Sequence, residues 1–347
     1  MSNINSREAR EERLHEIRRQ AEREGTLISR NEPSGAARGA SAENGYYGMP
    51  LLKRPQWTVE VPLYFFVGGV AGAASVIAAV GQMSSADRKL VRDARWLAAI
   101  GGAISPALLI SDLGMPSRFL NMLRVFKIKS PMSVGSWTLV AFSNSAAAAA
   151  VFGQFQKRRG NGAIKAIADI AQLASAIAGM GLATYTGVLI GATAVPVWNE
   201  HVGTLPIHFA ASGTAAAASI LELAGNESEA LNKIALGAAA VETFMGAAIE
   251  RQSTPASAAL KSGATGWAMR GAGLLSGPLP LALRILSLTG KKRSRSLRRS
   301  AAISSIAGSL LTRFAWVEAG KASAADNSVS LNLRARTQAD RLSAPSE

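Results

Sequence analysis

The chain has 347 residues, of which 48% are hydrophobic, and it carries a formal net charge of +15 at pH 7. It contains no cysteine, which excludes an iron–sulfur cluster, a thiolate metal site and a disulfide within this chain. The histidines are His15, His201 and His208, and they cannot supply the paired axial ligands from opposite faces that a b-type haem needs. Any redox chemistry must therefore use a diffusible carrier or the cofactors of a partner.

Residues 1–57 form the first predicted region, a charged N-terminal extension. Residues 6–24 mix acidic and basic side chains and lack the apolar core of a signal peptide. Residues 35–45 are small and polar, which is typical of a flexible linker. We interpret this extension and the polar tail at 325–347 as solvated segments, with docking to a partner subunit as the alternative.

Residues 58–324 are predicted to form a single transmembrane domain. A helix needs about 20 mostly apolar residues to cross the hydrocarbon core of a bilayer. Eight segments approach this length: 59–82, 96–112, 133–155, 164–192, 202–223, 230–250, 266–288 and 299–320. They are rich in Ala and Gly, which allow helices to approach closely. The sequence thus predicts an all-α integral membrane protein, a bundle of about eight transmembrane helices, with a soluble helical protein as the alternative.

The Lys and Arg residues of the loops predict how the bundle is oriented. One alternating set of loops, at 88–95, 157–165, 233 and 291–299, carries fifteen of them, whereas the opposite set carries six. Loops rich in Lys and Arg stay in the cytoplasm, so both termini and the 112–137 loop are expected outside it. Because the basic residues lie beside the spans, the net charge indicates a lipid bilayer and no nucleic-acid partner.

Six of the predicted spans place polar or ionisable residues towards the outer face. Charged groups inside a bilayer are costly, and they usually pair with one another or line a polar cavity. A shared outer pocket is therefore the economical interpretation. The candidate residues of this pocket are Glu60, Tyr64, Asp112, Arg118, Tyr185, His208, Arg270 and Arg313.

Several of these residues also have a purely structural interpretation. Glu60 and Arg313 could be anchors whose charged ends reach the lipid headgroups. Tyr64 could belong to the aromatic belt at the membrane surface. Asp112 could cap a turn or pair with a nearby arginine, and His208 could be a core histidine with its hydrogen bonds satisfied. The convergence of the set is a stronger indication than any one member.

Four blocks of sequence between residues 46 and 325 carry a family resemblance. They are YYG, LLK and WTVEVPLYFFVGG within 46–69, the segment 111–137, YTGVL and PVW within 185–198, and RFAWVEAG at 313–320. In these blocks the chain resembles the NrfD-like membrane subunits of polysulfide reductase and related quinone-linked complexes. Met115 departs from the pattern, because the family more often has Arg or Lys at that position.

The resemblance implies an eight-helix subunit of a prokaryotic cell membrane without a cofactor of its own. Such subunits bind a quinone, menaquinone or ubiquinone, near the outer face. They exchange electrons with a ferredoxin-like iron–sulfur subunit, and through it with a molybdopterin or multihaem cytochrome subunit. By their positions in the matching blocks, the residues carried over as pocket candidates are Glu60, Tyr64, Asp112, Arg118 and Tyr185.

Quinol oxidation releases two electrons and two protons, and the pocket residues suit the proton part of this reaction. Tyr185 or His208 could hydrogen-bond a ring oxygen, while Glu60 or Asp112 could accept a proton and release it outside. The sequence leaves the direction of electron flow and the quinone type open.

Two other functions, without a redox role for the chain, are kept as alternatives. Asp169, Glu222 and Glu242 lie at staggered depths in the predicted spans, and buried carboxylates at such depths could relay protons. A transporter is the second alternative, supported by Pro106 in one span and by the prolines at 278 and 280 in another.

Overall fold

The computed structural model describes residues 51–115, 117–159, 162–289, 294–327 and 329–330, and every regular element in these ranges is a helix. Most of the predicted extension and tail, residues 1–50 and 331–347, lies outside the described residues. In chain order the helices are α1 (Glu60–Met83), α2 (Arg88–Asp112), α3 (Ser117–Leu123), α4 (Pro131–Arg159), α5 (Gly162–Gly191), α6 (Pro196–Glu200), α7 (Leu205–Leu223), α8 (Glu229–Arg251), α9 (Ala258–Lys261), α10 (Gly263–Ser276), α11 (Pro278–Thr289) and α12 (Ser294–Ala325).

The described residues group into two compact units. Residues 56–321 form the larger unit, which contains α1 to α11 and most of α12. The smaller unit includes 51–55 and the described residues after 321, and within it the Leu51 amide donates a hydrogen bond to Asn327 Oδ1 at 3.1 Å.

Helices α1 and α2 run antiparallel, as two hydrogen bonds between their ends show. At one end Thr58, just before α1, donates to Asp112, the last residue of α2. At the other end Arg95, early in α2, donates to Gln82, late in α1. We call these the Asp112 end and the Arg95 end of the bundle.

The other long helices extend the same alternation. Gly135, early in α4, lies against the ring of Tyr185, late in α5, and Gly187 lies against the first residues of α7. The start of α4, the end of α5 and the start of α7 therefore share the Asp112 end. The end of α7 lies at the Arg95 end, where Asn226 Nδ2 donates to Asp93 Oδ2 at 3.1 Å.

Small residues allow α1 to pack at the centre, against α2, α5 and α7. A Cβ atom on Gly72 of α1 would overlap the carbonyl group of Gly179 of α5. A Cβ atom on Gly213 of α7 would lie 2.9 Å from the backbone of Gly69. The backbones of these helices therefore touch, a contact that small residues provide in membrane bundles.

Helix α2 continues through Pro106 without a break. A proline inside a helix removes the hydrogen bond to the carbonyl group four residues earlier, which here belongs to Gly102. Ser143 of α4 replaces it, since its hydroxyl group donates to Gly102 O at 2.6 Å. The carbonyl group freed by the proline is thus used in a contact between α2 and α4, and the span is not interrupted.

The predicted span at 266–288, in contrast, is interrupted, because it consists of the two helices α10 and α11. The helix breaks at Gly277, immediately before Pro278, and a Cβ atom on Gly277 would lie 2.9 Å from the backbone nitrogen of Thr243 in α8. Ser304 of α12 donates to the nearby Leu275 carbonyl oxygen at 2.7 Å. Such breaks occur at membrane depth where neighbouring side chains satisfy the freed backbone groups.

Five helical stretches are long and apolar enough to cross a membrane. They are Glu60–Met83, Arg88–Asp112, Pro131–Phe155, Gly162–Gly191 and Gly263–Leu288, the last made of α10 and α11. Helices α7, α8 and α12 are long, but their sequences carry more polar side chains. On α5, Ile170, Leu173 and Ile177 are about 60–70% exposed, as expected of apolar side chains that face lipid.

The contact between α1 and α5 predicts a difference between two glycine variants. Gly179→Ala forces a Cβ atom against Ser75 and the α1 backbone, and such overpacking costs about 1–3 kcal/mol. Gly237→Ala in α8 is the control, because its Cβ atom has open space and alanine favours a helix by about 0.5–1 kcal/mol. We expect a lower midpoint of thermal unfolding in detergent for Gly179→Ala alone; equal midpoints would contradict the close packing.

Candidate functional site

Asp112 fastens the start of α1 to the end of α2. Its Oδ1 atom accepts hydrogen bonds from the Thr58 hydroxyl group at 2.5 Å and from the Thr58 amide at 3.4 Å. The Glu60 carboxylate lies within hydrogen-bonding reach of the same hydroxyl group. Two carboxylates thus meet around one threonine. Arg118 is exposed on α3, and within the described ranges no ion pair joins it to Asp112.

A group of hydroxyl side chains lies below these carboxylates. Tyr64, one turn after Glu60, is 2% exposed, and its hydroxyl group has no hydrogen-bond partner among the described residues. It is close enough to Tyr185 to interact electrostatically. The hydroxyl groups of Ser105 and Thr186 are also buried and without a partner in the described part of the chain. Buried polar groups are nearly always hydrogen-bonded, so this group is suited to a polar ligand or water.

Tyr185 takes its position because Gly135 has no side chain. A Cβ atom on Gly135 would overlap the tyrosine ring, including its hydroxyl group. Gly135 belongs to the SPMSVGSW segment and Tyr185 to the YTGVL segment. The structure therefore brings two of the four sequence blocks into direct contact.

The other two blocks meet in an aromatic cluster at the same end. The Trp57 and Trp198 rings stack at 4.9 Å, and the Trp57 ring meets Phe65 edge-on at 6.0 Å. Trp198 Nε1 donates to the backbone oxygen of Trp316 at 2.7 Å, and Gly320 leaves room for the Trp198 ring. All four blocks thus contribute to the Asp112 end.

A buried ionic cluster joins α7, α8 and α12. His208 Nδ1 lies 3.6 Å from Glu242 Oε1, and both side chains are almost completely buried. Arg313 is 0% exposed, donates to Phe209 O at 2.8 Å, and places its guanidinium carbon 4.0 Å above the Phe209 ring. Glu242 also lies close enough to Arg313 for the two side chains to interact electrostatically. The sequence assigned Glu242 to a relay and the other two to the outer pocket, and the structure places all three together.

Arg270 lies apart from this cluster. It forms an ion pair with Glu250 of α8 at 2.9 Å, with about half of each side chain exposed. No hydrogen bond or ion pair joins Arg270 to Tyr64 or Asp112 within the described ranges. Arg270 therefore belongs to an ion pair at the protein surface.

Glu222, one of the three relay candidates, is bound by two arginines. Its carboxylate lies 2.8 Å from Arg284 Nη2 and 3.0 Å from Arg298 Nη2. The buried Arg284 also donates to Asn232 Oδ1 at 2.8 Å and to Ser219 Oγ at 3.1 Å. This pairing explains how an arginine is tolerated inside α11.

Asp169, the third relay candidate, belongs to a network at the Arg95 end. Its Oδ1 atom accepts from Gln82 Nε2 at 2.6 Å, and Arg95 donates to Gln82 and, at 2.9 Å, to Gln172. Sequence reasoning missed both glutamines, although two amides inside predicted spans were a usable signal. Among the described residues no hydrogen bond or ion pair joins any two of the three relay carboxylates.

The comparison with known families agrees with this arrangement. A family model described as polysulfide reductase, of the NrfD type, matches residues 43–326. The matched range contains every helix from α1 to α12, and it confirms the resemblance predicted from the sequence. No curated protein matches the chain.

The pairing of Glu222 predicts that this residue is structural. Glu222→Gln leaves the charge of the buried Arg284 without its partner, and breaking a buried pair costs about 3–5 kcal/mol. Glu250→Gln is the control, because the half-exposed pair with Arg270 contributes only about 0–1 kcal/mol. We expect a large loss of folded protein and of thermal stability for Glu222→Gln alone. Wild-type stability of that variant would make Glu222 available as a proton carrier.

Proposed function

The chain belongs to the NrfD-type polysulfide reductase family, and we propose that it is the quinone-binding membrane subunit of a respiratory oxidoreductase complex. It is a multi-pass membrane protein. The observation that carries the proposal is the buried, unpartnered hydroxyl group of Tyr64, beside Tyr185 and below two carboxylates. Binding of quinone or quinol near the outer face of a prokaryotic cell membrane would supply the missing partner.

We propose that α7, α8 and α12 complete a bundle of eight transmembrane helices. The polar residues that lower their hydropathy pair within the protein, as Glu222 does with Arg284 and Glu242 with His208. Internally paired charges are tolerated in a bilayer. The Lys and Arg counts of the loops support an orientation with the Asp112 end and both termini outside the cytoplasm.

The residues at the Asp112 end suit a quinone ring. Its two ring oxygens need hydrogen-bond donors, which the Tyr64 and Tyr185 hydroxyl groups can supply. An apolar ring also needs apolar surroundings, and Phe65, 0% exposed, lies next to Tyr64 with its ring centre 5.7 Å away. Orphaned hydroxyl groups beside aromatic side chains are the combination expected of a small-molecule site.

The carboxylates of Asp112 and Glu60 are suited to hold protons. A bound quinol supplies two electrons and two protons. Thr58 keeps Asp112 in place through its hydrogen bond and leaves the second carboxylate oxygen of Asp112 available. Both carboxylates lie at the start or end of a helix, so protons that they accept can pass to water outside.

The electrons must leave through another protein, because the chain has no cysteine for a cluster of its own. We propose a ferredoxin-like iron–sulfur subunit as the electron partner. That subunit would connect to a molybdopterin or multihaem cytochrome subunit. The same arrangement serves quinone reduction when electrons flow the other way.

Tyr64→Phe tests the ring contact without activity as the readout. The variant removes one hydroxyl group that has no partner in the described chain, so the ligand-free protein should keep or slightly raise its thermal stability. Binding of a soluble quinone analogue should weaken about fivefold, as the loss of one hydrogen bond of about 1 kcal/mol predicts. The measurement is the stabilisation of the protein against heat as a function of analogue concentration. Unchanged analogue affinity would remove Tyr64 from the site.

Asp112→Asn tests proton handling in the complex purified through the tagged chain. The amide oxygen of asparagine can still accept from Thr58, so assembly should remain intact. Quinol oxidation should slow about a hundredfold, a typical contribution of general base catalysis.

Thr58→Val is the matched control for this variant. It removes the hydrogen bond from the Thr58 hydroxyl group to Asp112 and keeps both the bond from the Thr58 amide and the carboxylate, so turnover should stay near that of the wild type. Full activity of Asp112→Asn would exclude Asp112 from the mechanism. Purification of the chain without any redox partner would contradict the proposed function itself.

A further inference from the structure

Buried polar atoms without a partner concentrate around α6, α7, α8 and α12. More than half of such side-chain atoms in the described part of the chain lie there. They include both carboxylate oxygens of Glu242, the Nδ1 atom of His208, the Nε2 atom of His201 and one carboxylate oxygen of Glu200. We call these four residues the histidine column. None of them is used by the proposed quinone site.

The column runs from the interior of the bundle to the Asp112 end. Glu242 lies nine residues before the end of α8, a distance of about 14 Å along the helix. It contacts His208, and both histidines lie beside the Trp316 indole, whose ring centre is 6.3 Å from that of His208 and 5.2 Å from that of His201. Glu200, next to His201, is the last residue of α6.

The surroundings of the histidine column favour proton binding by its side chains. Carboxylate oxygens without hydrogen bonds are costly to bury, and His208, 3.6 Å away, and the positive charge of Arg313 offset only part of this cost. The charged and titratable groups around His208 are Glu242, Arg313 and His201. Buried polar atoms of this kind bind water molecules, each of which makes about three hydrogen bonds.

His201 has the protonation state that a carrier needs. Burial lowers its pKa below the ordinary value of 6.5, although the backbone oxygen of Val197 and the charge of Glu200 oppose this effect. The neutral ring therefore predominates at neutral pH. Its Nδ1 atom lies 2.9 Å from Val197 O, while Nε2 forms no well-aligned hydrogen bond with any described residue, although the Gln252 side chain is near enough to share one. Gln252 and Lys261 complete its polar surroundings.

The helix break at Gly277 lies at the depth of Glu242. Gly277 packs on the backbone of Thr243, the neighbour of Glu242 in α8. Irregular backbone at membrane depth is found where it is buried in protein or lines a polar cavity. The break is thus an independent indication of polar space beside Glu242.

Among the described residues, no hydrogen bond or ion pair connects the column to Glu222 or Asp169, the two relay carboxylates at the Arg95 end. Glu222 is held by Arg284 and Arg298, and Asp169 accepts from Gln82. A path from Glu242 therefore leads to the Asp112 end.

We propose that Glu242 is a buried proton-binding site that exchanges protons with water at the Asp112 end through His208 and His201. The protonated Glu242 carboxyl group gives its proton to the His208 ring, which leaves a carboxylate and an imidazolium ion. The imidazolium ion passes the proton to water and His201, from which it reaches bulk water. Only protons move, and Arg313 balances the carboxylate that remains. The inference goes beyond the proposed function and does not require a quinone.

Infrared spectroscopy of the purified full-length protein tests the column without any redox substrate. The difference spectrum between acidic and alkaline pH should contain the C=O stretching band of a protonated, buried carboxyl group. Glu242→Gln should remove this band. Glu250→Gln, an exposed carboxylate on the same helix, should leave it unchanged. If Glu242→Gln and the wild type give the same spectrum, Glu242 stays ionised beside Arg313 and the proposal is wrong.

The rate at which this band shifts after transfer to heavy water tests the route. His201→Gln leaves Glu242, His208 and Arg313 in place, so the variant should keep the band. Its exchange should slow about tenfold or more, because the proton then crosses a gap without a titratable side chain. Exchange as fast as in the wild type would overturn the route through His201. Loss of quinone-analogue binding would leave both infrared results unaffected, so failure of the two proposals can be told apart.

Discussion

Two guanidinium groups, those of Arg284 and Arg313, are completely buried in helices assigned to the membrane domain, and the packing of the second half of the bundle depends on neutralising them. Glu222 pairs with Arg284, and this pair joins the end of α7 to α11. Arg313 bonds the α7 backbone and lies over the Phe209 ring, and Glu242 offsets its charge whenever that carboxyl group is ionised. An isolated charge inside a bilayer is too costly to keep. The two carboxylates therefore fix which helices α7, α8, α11 and α12 contact, and they do so at different depths.

The first half of the bundle is held together by a different device. Here backbones touch at Gly72 and Gly179, and polar contacts such as those of Gln172 with Arg95 and with the Ser75 backbone are hydrogen bonds rather than buried ion pairs. Close contact of backbones leaves little space for water between α1 and α5 below Tyr64. The unpartnered hydroxyl groups therefore lie above this contact, towards the Asp112 end. The packing of small residues thus determines where a polar ligand can be accommodated.

The sequence predicted the long helices well, because hydropathy reports them directly. The first span was expected at 59–82, and the helix is Glu60–Met83. The second was expected from residue 96, but its helix begins at Arg88, since the charged first turns are bonded by Asn226 and the glutamine network and remain helical. The position of each polar residue along its helix also followed from the sequence. The neighbours across the bundle, such as Gly135 beside Tyr185 or Glu242 beside His208, did not, because hydropathy does not specify which face of a helix meets which partner.

The placement of the carboxylates also bears on whether protons could cross the membrane through this chain. A transmembrane relay needs groups that can take up and release protons at both ends. At the Arg95 end, Asp169 and Glu222 already accept hydrogen bonds from an amide and from two guanidinium groups, so these carboxylates are engaged in contacts within the protein. At the Asp112 end, Asp112, Glu60 and the histidine column offer groups that can change protonation. The asymmetry favours proton exchange with one side only, so the proposed quinone chemistry and the Glu242 site would both release protons on the side to which the Asp112 end faces.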